Sequence, residues 1–275
     1  MFALEASHVV PPAARCVPRQ AWRNGSTLIG ERTLAEEVPV AFSYDGATHA
    51  ILMATPDDLE DFALGFTYTE GIITAAAEIA ELAVVSVADG IVLRMWLTGD
   101  RSDAFAARRR RFVGPAGCGM CGLESLAEAN RTIPMAAYDL RVSLQDIEEA
   151  VAALPASQRL NMQTRAVHAA AFWRPDQSLV LREDVGRHNA LDKLAGALLR
   201  TGRSAAEGVI VLSSRISIEL VQKAAMMGAA IIVGVSAPTA LAVRTAEMAG
   251  LTLVGIARDD GFEVFTHPER ITRYW

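Results

Sequence analysis

Two cysteines separated by two residues, Cys118 and Cys121, are the most reactive groups that the sequence places together. They lie in the segment GPAGCGMCGLESL, residues 114–126, with glycines on both sides. A glycine-rich loop exposes its backbone and side chains, which argues against two inert, buried thiols. The arginine run at residues 108–111 comes just before, and positive charge favours the reactive thiolate. The pattern favours a nucleophilic or sulfur-carrying thiol in this pair, with the second thiol able to exchange with it.

Three other uses of this cysteine pair have weaker support in the sequence. A structural zinc site needs four ligands, usually from a second pair at similar spacing, and neither Cys16 nor the histidines supply one. A zinc deaminase needs an H-x-E motif ahead of its cysteines, but none is present there, and His168 is followed by two alanines. A thioredoxin-like couple would follow a buried strand, whereas a basic, glycine-rich loop precedes this pair. We therefore expect no bound zinc.

Composition limits the classes of protein that this chain can belong to. Its 275 residues are 51% hydrophobic and 21% charged, which is typical of a globular protein with one large domain or two modest ones. The net charge of −6 argues against nucleic acid or an anionic membrane as a partner, so an anionic ligand would need a local basic patch. Three cysteines cannot form a disulfide framework in a chain of this size.

The sequence shows neither the pattern of a signal peptide nor that of a membrane span. The N-terminus lacks the basic and long apolar regions of a signal peptide. The most apolar window, residues 224–243, contains Gly228, Gly234 and Pro238, which favours a helix end, a strand and a new helix over one membrane span. We expect a cytoplasmic protein that does not contact a membrane.

The first part of the chain predicts a small domain rich in strands. Residues 38–56 alternate apolar and polar side chains around Asp45-Gly46, which is a strong hairpin signal. A helix is predicted from Pro56-Asp57-Asp58 through Glu70, and two strands are predicted on either side of Asp89-Gly90. We expect a flexible arm over residues 1–25 and an α+β domain over residues 26–125 that ends in the cysteine loop, reached through a loop from about residue 100.

The rest of the chain, residues 126–275, predicts an α/β domain. Two helices are expected first, over about 122–132 and 143–155. From about residue 164 short apolar strands alternate with amphipathic helices, which is typical of a largely parallel sheet covered on both faces, a three-layer architecture. Ligands of such sheets bind beyond the carboxyl ends of the strands, where the helices begin.

Three of these strand–helix junctions carry polar side chains suited to an anionic ligand. In EDVGRHNALDK, Arg187 and His188 fall in the first helical turn, where free backbone N–H groups favour anions. Asp192 lies four residues after His188 and is expected to orient or charge the imidazole. The other two junctions are SSRIS, with Ser214 and Arg215, and SAPT, residues 236–239. Helix capping explains the hydroxyls separately, but capping requires no cation, so we favour an anion site.

Several segments resemble one family, the formate dehydrogenase accessory sulfurtransferases. The resemblance spans nearly all of residues 30–270. EDVGRHNALDK is highly specific to that family, whereas a CxxC motif alone is not. The matching segments are CGMCG (118–122), VHAAAF (167–172), EDVGRHNALDKL (183–194), SSRISIELVQKAAMMG (213–228), VSAPTALAVRTAE (235–247) and LTLVGIARDDGFEVFTHPER (251–270).

This resemblance implies a sulfur relay. The family accepts sulfur from a cysteine desulfurase as a cysteine persulfide, and transfers it to the molybdenum bis-pterin guanine dinucleotide cofactor of formate dehydrogenase. It also implies a homodimer and a C-terminal domain similar in fold to the cytidine deaminases. By position in the family's motifs, Cys118 would carry the persulfide and Cys121 would be the second thiol. The stretch matching the family's cofactor-binding segment consists of Ile256, Ala257, Arg258, Asp259, Asp260 and Gly261.

Two alternative functions stay open at this point. A non-catalytic chaperone could bind the guanine-containing cofactor and deliver it, with the thiols incidental. That alternative predicts that variants at His188 or Arg215 lose function while a variant lacking both thiols keeps it. The second alternative, a zinc deaminase, predicts about one zinc ion per chain.

Overall fold

The computed structural model describes residues 9–109, 134–136, 140–175 and 179–273, without the side chains of residues 106–109. The predicted helix over about 122–132, Cys118 and Cys121 lie outside the described residues. So does the boundary predicted at residue 125.

A four-stranded sheet with one packed helix forms the first part of the chain. Its strands, in order across the sheet, are β4 (Ala47–Ala54), β3 (Val38–Tyr44), β6 (Gly90–Leu97) and β5 (Ile79–Val87). The Asp45-Gly46 hairpin is confirmed, because both residues adopt positive φ angles of 50° and 80°. One face of the sheet packs on the helix, where Phe42 meets the rings of Phe62 and Phe66. The packed helix is α1 (Leu59–Thr69).

A separate hairpin replaces much of the predicted N-terminal arm. Strands β1 (Ala14–Arg23) and β2 (Ser26–Ala35) pair antiparallel along their full lengths. The turn is Asn24-Gly25, with φ angles of 50° and 74°, which is the residue pair that a tight hairpin turn requires. The arm predicted over residues 1–25 therefore contains a paired strand over residues 14–23.

A helix also replaces the predicted loop that leads toward the cysteines. Helix α2 (Gly99–Arg109) includes the first two arginines of the run at 108–111. It is held to the sheet because Ser102 donates a hydrogen bond of 2.8 Å to Asp45, and because the ring of Phe105 packs on Tyr44. The arginine run suggested an exposed loop, and the helix was therefore not predicted, although alanine and arginine both favour helical structure.

The second part of the chain contains a six-stranded mixed sheet. Its strands, in order across the sheet, are β13 (Gly261–Thr266), β12 (Thr252–Arg258), β11 (Ile231–Gly234), β10 (Val209–Leu212), β8 (His168–Trp173) and β9 (Val180–Asp184). The three strands β10, β11 and β12 are parallel to one another, while β8, β9 and β13 extend the sheet by antiparallel pairing. The predicted alternation of strands and helices is confirmed.

Helices cover both faces of this sheet. The helices are α3 (Leu144–Ser157), α4 (Arg159–Thr164), α5 (Arg187–Arg200), α6 (Ile218–Met226) and α7 (Ala240–Met248). Alternate residues along the strands point to opposite sides: Ile210 and Leu212 pack against α5, α6 and α7, whereas Val209 and Val211 pack against α3. A two-residue strand pair, β7 (Val142–Ser143) with β14 (Ile271–Thr272), lies beside this core. Among the described residues, no helix has both the length and the apolar character needed to cross a membrane.

The two sheets are joined by a close crossing of α1 and α5. A Cβ atom built on Gly65 would lie 1.6 Å from the carbonyl oxygen of Asp192, and one built on Gly196 would lie 1.9 Å from that of Asp61. Only glycine allows the two helix backbones to approach so closely. The crossing brings the ends of α1 against α5, the helix that begins with Arg187 and His188.

Candidate functional site

Four polar segments meet at one edge of the six-stranded sheet. The parallel strands β10, β11 and β12 all end there, which places residues 213–217, residues 235–239 and Ile256 side by side. Antiparallel β8 begins at the same edge and β9 ends there, because His168 is paired with Asp184. The three strand–helix junctions singled out in the sequence therefore lie at one edge of the sheet.

Backbone hydrogen bonds join these segments into one surface. Ser213 donates from its backbone N–H to Ala169 over 3.0 Å, and the Ser213 hydroxyl accepts the Ala169 N–H over 2.8 Å. Thr239 donates its N–H to the carbonyl of Ile216 over 2.9 Å, and Ile256 donates to that of Ser236 over 3.3 Å. Thr239 also caps α7. A ligand at this edge can therefore contact several junctions at once.

The first turn of α5 holds the best candidates for ligand contact. Its N-cap residue is Gly186, which offers no side chain to cap the helix. The Nε2 atom of His188 lies 3.5 Å from the Ser217 hydroxyl and 3.9 Å from Oε2 of Glu219. Arg187 Nε and Glu219 Oε2 are buried and have no hydrogen-bond partner in the part of the chain that the structure describes. Buried polar atoms are nearly always paired, so these two atoms make the first turn of α5 a candidate place for a ligand.

The imidazole of His188 is neutral at neutral pH. Burial lowers its pKa to about 4, the nearby positive charge of Arg187 acts in the same direction, and the carboxylate of Glu219 opposes both. Burial and Arg187 also lower the pKa of His168 at the same edge. The positive charge of the site therefore comes from arginine, while His188 serves as a neutral hydrogen-bonding group.

We predict opposite shifts in the pKa of His188 from two charge-removing substitutions. Arg187→Gln removes a repelling cation and should raise this pKa from about 4 toward its usual value of 6.5, whereas Glu219→Gln should lower it further. NMR titration of the histidine ring signals measures both. In the wild type, folded stability should fall as the pH drops from about 6.5 to about 4, because only the unfolded chain takes up the proton in that window. Equal shifts of one sign in both variants would contradict this account.

Asp192 does not orient His188, contrary to the sequence-based expectation. Its buried carboxylate accepts hydrogen bonds from the Thr69 hydroxyl over 2.6 Å and from Nζ of Lys223 over 2.9 Å. Lys223 also pairs with Glu70 at the end of α1. A fully charged ammonium is a stronger partner for a buried carboxylate than a neutral imidazole, so Asp192 joins the helices together instead.

The predicted residues of the second junction face different environments. Ser214 is buried, and its hydroxyl donates to the carbonyl oxygen of Arg215 over 3.1 Å. Arg215 is exposed, so its side chain is accessible to solvent. The structure thus offers the side chain of Arg215, rather than that of Ser214, to the edge of the sheet.

The segment from Ile256 to Gly261 contains an unusual backbone. Ile256 has a φ of 53°, which is rare for a β-branched residue and marks local strain of the kind found at functional sites. It coincides with an irregularity in the pairing of β12 with β13. Ala257 is buried in the core, and Gly261 begins β13 with a φ of 132°. The exposed residues near the hairpin turn are Arg258, Asp259 and Asp260.

Glu219 is a site residue that the sequence reasoning missed. An acidic residue in the first turn of a helix is also what favourable interaction with the helix dipole produces, so its position alone gave no distinguishing signal. No cluster of three or more histidine, cysteine or acidic side chains in the described ranges could hold a metal ion. Because the cysteine pair lies outside these ranges, the expectation of no zinc stays a prediction.

The fold places the chain among the mixed α/β proteins, a class whose ligands commonly bind beyond the carboxyl ends of parallel strands. Within that class, residues 35–272 match the model of the FdhD/NarQ family, and the chain belongs to this family.

Its relatives are matched over nearly their whole lengths. The chain is 50% identical over 264 residues to the sulfur carrier protein FdhD of Agrobacterium fabrum, covering 95% of this chain and 97% of that one. It is 42% identical over 267 residues to the sulfur carrier protein FdhD of Cupriavidus necator, covering 97% and 93%. A crystal structure from Desulfotalea psychrophila, assigned as a formate dehydrogenase accessory protein, superposes with a TM-score of 0.74 at 27% identity, over 95% of this chain and 100% of that one.

Proposed function

We propose that the chain is a sulfur carrier that formate dehydrogenase requires for its activity. It takes sulfur from a cysteine desulfurase as a persulfide on Cys118 and transfers it to the molybdenum bis-pterin guanine dinucleotide cofactor. The observation that supports sulfur transfer most directly is the 50% identity over 95% of the chain to a protein named as a sulfur carrier. The sulfur-binding residues are proposed from the sequence, because they lie outside the described residues.

Loading is a thiol exchange at one sulfur. The Cys118 thiolate attacks the outer sulfur of the desulfurase persulfide; a new S–S bond forms on Cys118 while the desulfurase S–S bond breaks, and the desulfurase cysteine leaves as a thiolate. The arginine run just upstream favours the attacking thiolate by lowering the pKa of a nearby thiol. No metal ion or external oxidant is needed for this step.

Release requires two electrons, because a metal takes up sulfur as sulfide. We propose that the Cys121 thiolate attacks the inner sulfur of the Cys118 persulfide. A Cys118–Cys121 disulfide forms, the bond to the outer sulfur breaks, and hydrosulfide leaves toward the cofactor. The two cysteines are oxidised as the outer sulfur is reduced, and a cellular thiol reductant then regenerates them.

The cofactor is proposed to bind at the edge of the six-stranded sheet. The guanidinium groups of Arg187 and Arg215 and the first turn of α5 suit its phosphates. The orphaned Glu219 oxygen and neutral His188 supply hydrogen-bonding groups beside them. The backbone at Ser214 and the segment Ile256–Gly261 lie at the same edge, and the acidic pair Asp259-Asp260 leaves phosphate binding mainly to the arginines.

Three further properties belong to this proposal. We propose that the protein works in the cytoplasm, because three cysteines in a chain of 275 residues suit a reducing compartment. We also propose that it is a homodimer, and that its C-terminal domain shares the cytidine deaminase scaffold without its zinc. A likeness of scaffold carries no deaminase chemistry with it.

Calorimetric titration with guanosine diphosphate tests the cofactor site. The Arg187→Gln and Arg215→Gln variants should each bind about tenfold more weakly or worse, since each loses charge-assisted hydrogen bonds. Arg174→Gln is the matched control, because Arg174 lies at the opposite edge of the same sheet and pairs with Glu207. Unchanged affinity in both site variants would overturn the assignment of the site.

A further inference from the structure

We propose that Thr55, which follows strand β4 in the first part of the chain, is a positioning residue for the turn that carries Arg187 and His188. It does not touch the ligand site itself. The proposal rests on the function proposed above, because it names what holds the cofactor-binding turn in place.

The backbone N–H, the hydroxyl oxygen and the carbonyl oxygen of Thr55 each form a hydrogen bond with that turn or its helix, and the carbonyl also accepts the N–H of Asp57. It is 0% exposed, so none of these groups can be satisfied by water. Its backbone N–H donates to Asp184 Oδ2 over 3.0 Å, and its hydroxyl accepts the backbone N–H of Val185 over 3.1 Å. Its carbonyl oxygen accepts Nζ of Lys193 over 2.9 Å.

Asp184 connects Thr55 to the turn through further hydrogen bonds. Its Oδ1 atom accepts the backbone N–H of Gly186 over 2.8 Å and the side-chain amide of Asn189 over 2.9 Å. Its Oδ2 atom pairs with Lys193 over 2.8 Å. The amide of Asn189 also donates to the carbonyl of Met53 over 2.8 Å. The turn is therefore held from both ends, and its outer supports are Met53 in β4 and Thr55 directly after that strand.

The Thr55 hydroxyl is the group whose loss affects the turn most selectively. Without it, the backbone N–H of Val185 loses its partner while the Asp184–Lys193 ion pair and the Asn189 bonds remain. A buried donor left unpaired favours any rearrangement that satisfies it. We expect residues 185–188 to shift, moving His188 relative to Ser217 and Glu219, while the fold persists.

Two substitutions at Thr55 separate the hydroxyl from the shape of the side chain. Thr55→Val keeps the shape and removes the acceptor, whereas Thr55→Ser keeps the acceptor. Thr48→Val, at an exposed position in β4, controls for the substitution itself. We expect Thr55→Val to move the NMR signals and the pKa of His188 in the ligand-free protein and to weaken guanosine diphosphate binding about tenfold. Thr55→Ser should restore both, and Thr48→Val should change neither.

Three results would overturn the positioning role. They are a folded Thr55→Val protein with unshifted His188 signals, a Thr55→Ser protein as impaired as Thr55→Val, and rapid hydrogen exchange of the Val185 amide in the wild type. The exchange measurement needs no variant, so it decides the matter even if Thr55→Val fails to fold. A wild type that binds no guanosine diphosphate would instead refute the proposed ligand, while the ligand-free His188 signals would still test Thr55.

Discussion

Replacing Cys118 with alanine is expected to reduce sulfur loading, and activation of formate dehydrogenase, to background. The reason is that the proposed relay has a single covalent carrier, the thiol of Cys118. Loading is measured as reducible labelled sulfur bound after incubation with a cysteine desulfurase and labelled cysteine. Activation is measured as formate oxidation in cells that depend on the variant.

Cys16 provides the matched control for that substitution. It is an exposed cysteine on β1, and its thiol donates to Glu31 over 3.3 Å. The hydrogen bond to Glu31 raises the pKa of this thiol, which keeps it protonated and a weak nucleophile at neutral pH. Cys16→Ala should therefore load and activate normally. Normal activation by Cys118→Ala would end the sulfur-carrier account and favour the chaperone, especially if Arg215→Gln were inactive.

Gly65→Ala is expected to be the most destabilising single substitution in the contact between the two sheets. Its new Cβ atom would lie 1.6 Å from the Asp192 carbonyl oxygen, which belongs to helix backbone and cannot rotate away. Overpacking typically costs about 1–3 kcal/mol, and so deep an overlap should reach or exceed the top of that range. Because the α1–α5 crossing also carries the Thr69–Asp192–Lys223 contacts, cofactor binding should weaken together with stability.

Urea unfolding measures this loss as a lower midpoint at an unchanged slope. Gly30→Ala is the control, because nothing lies within 4 Å of a Cβ atom at that exposed position in β2. Its effect should stay within about 0.5 kcal/mol. Equal midpoints for the two variants would show that the helices can separate at little cost, contrary to the tight crossing seen here.

The elements with strong local signals could be predicted from the sequence. Asp45-Gly46 adopts the positive φ angles that its residue types favour, and Ser143 and Asp146 form the reciprocal cap at the start of α3. The alternation of apolar strands and amphipathic helices after residue 164 gave the α/β sheet, and the sheet order brought the polar junctions to one edge.

Other elements were missed because a second signal obscured the first. The Asn24-Gly25 pair is a hairpin signal, but the prolines and arginines around it suggested an irregular arm. The helix over residues 99–109 begins in a run of small and polar residues and ends among arginines, which favoured a loop. In both cases the local turn or helix propensity was the better guide.

Long-range contacts lay beyond sequence reasoning altogether. The spacing of His188 and Asp192 places both on one face of α5, yet Lys223 from another helix takes the carboxylate. Thr55 is separated from Asp184 by 129 positions, and nothing in its surrounding sequence points to that partner. Such pairings depend on how the two sheets are joined, and that follows from the glycine crossing of α1 and α5.

Mass spectrometry of the desulfurase-treated protein tests the sulfur-carrier account most directly. The wild type, digested without reductant, should show the added mass of one sulfur atom on the peptide that contains Cys118, and a reductant should remove it. The peptide that contains Cys16 should remain unmodified in the same sample. Sulfur found on Cys16 alone, or no added sulfur on any peptide while formate dehydrogenase is still activated, would contradict the account.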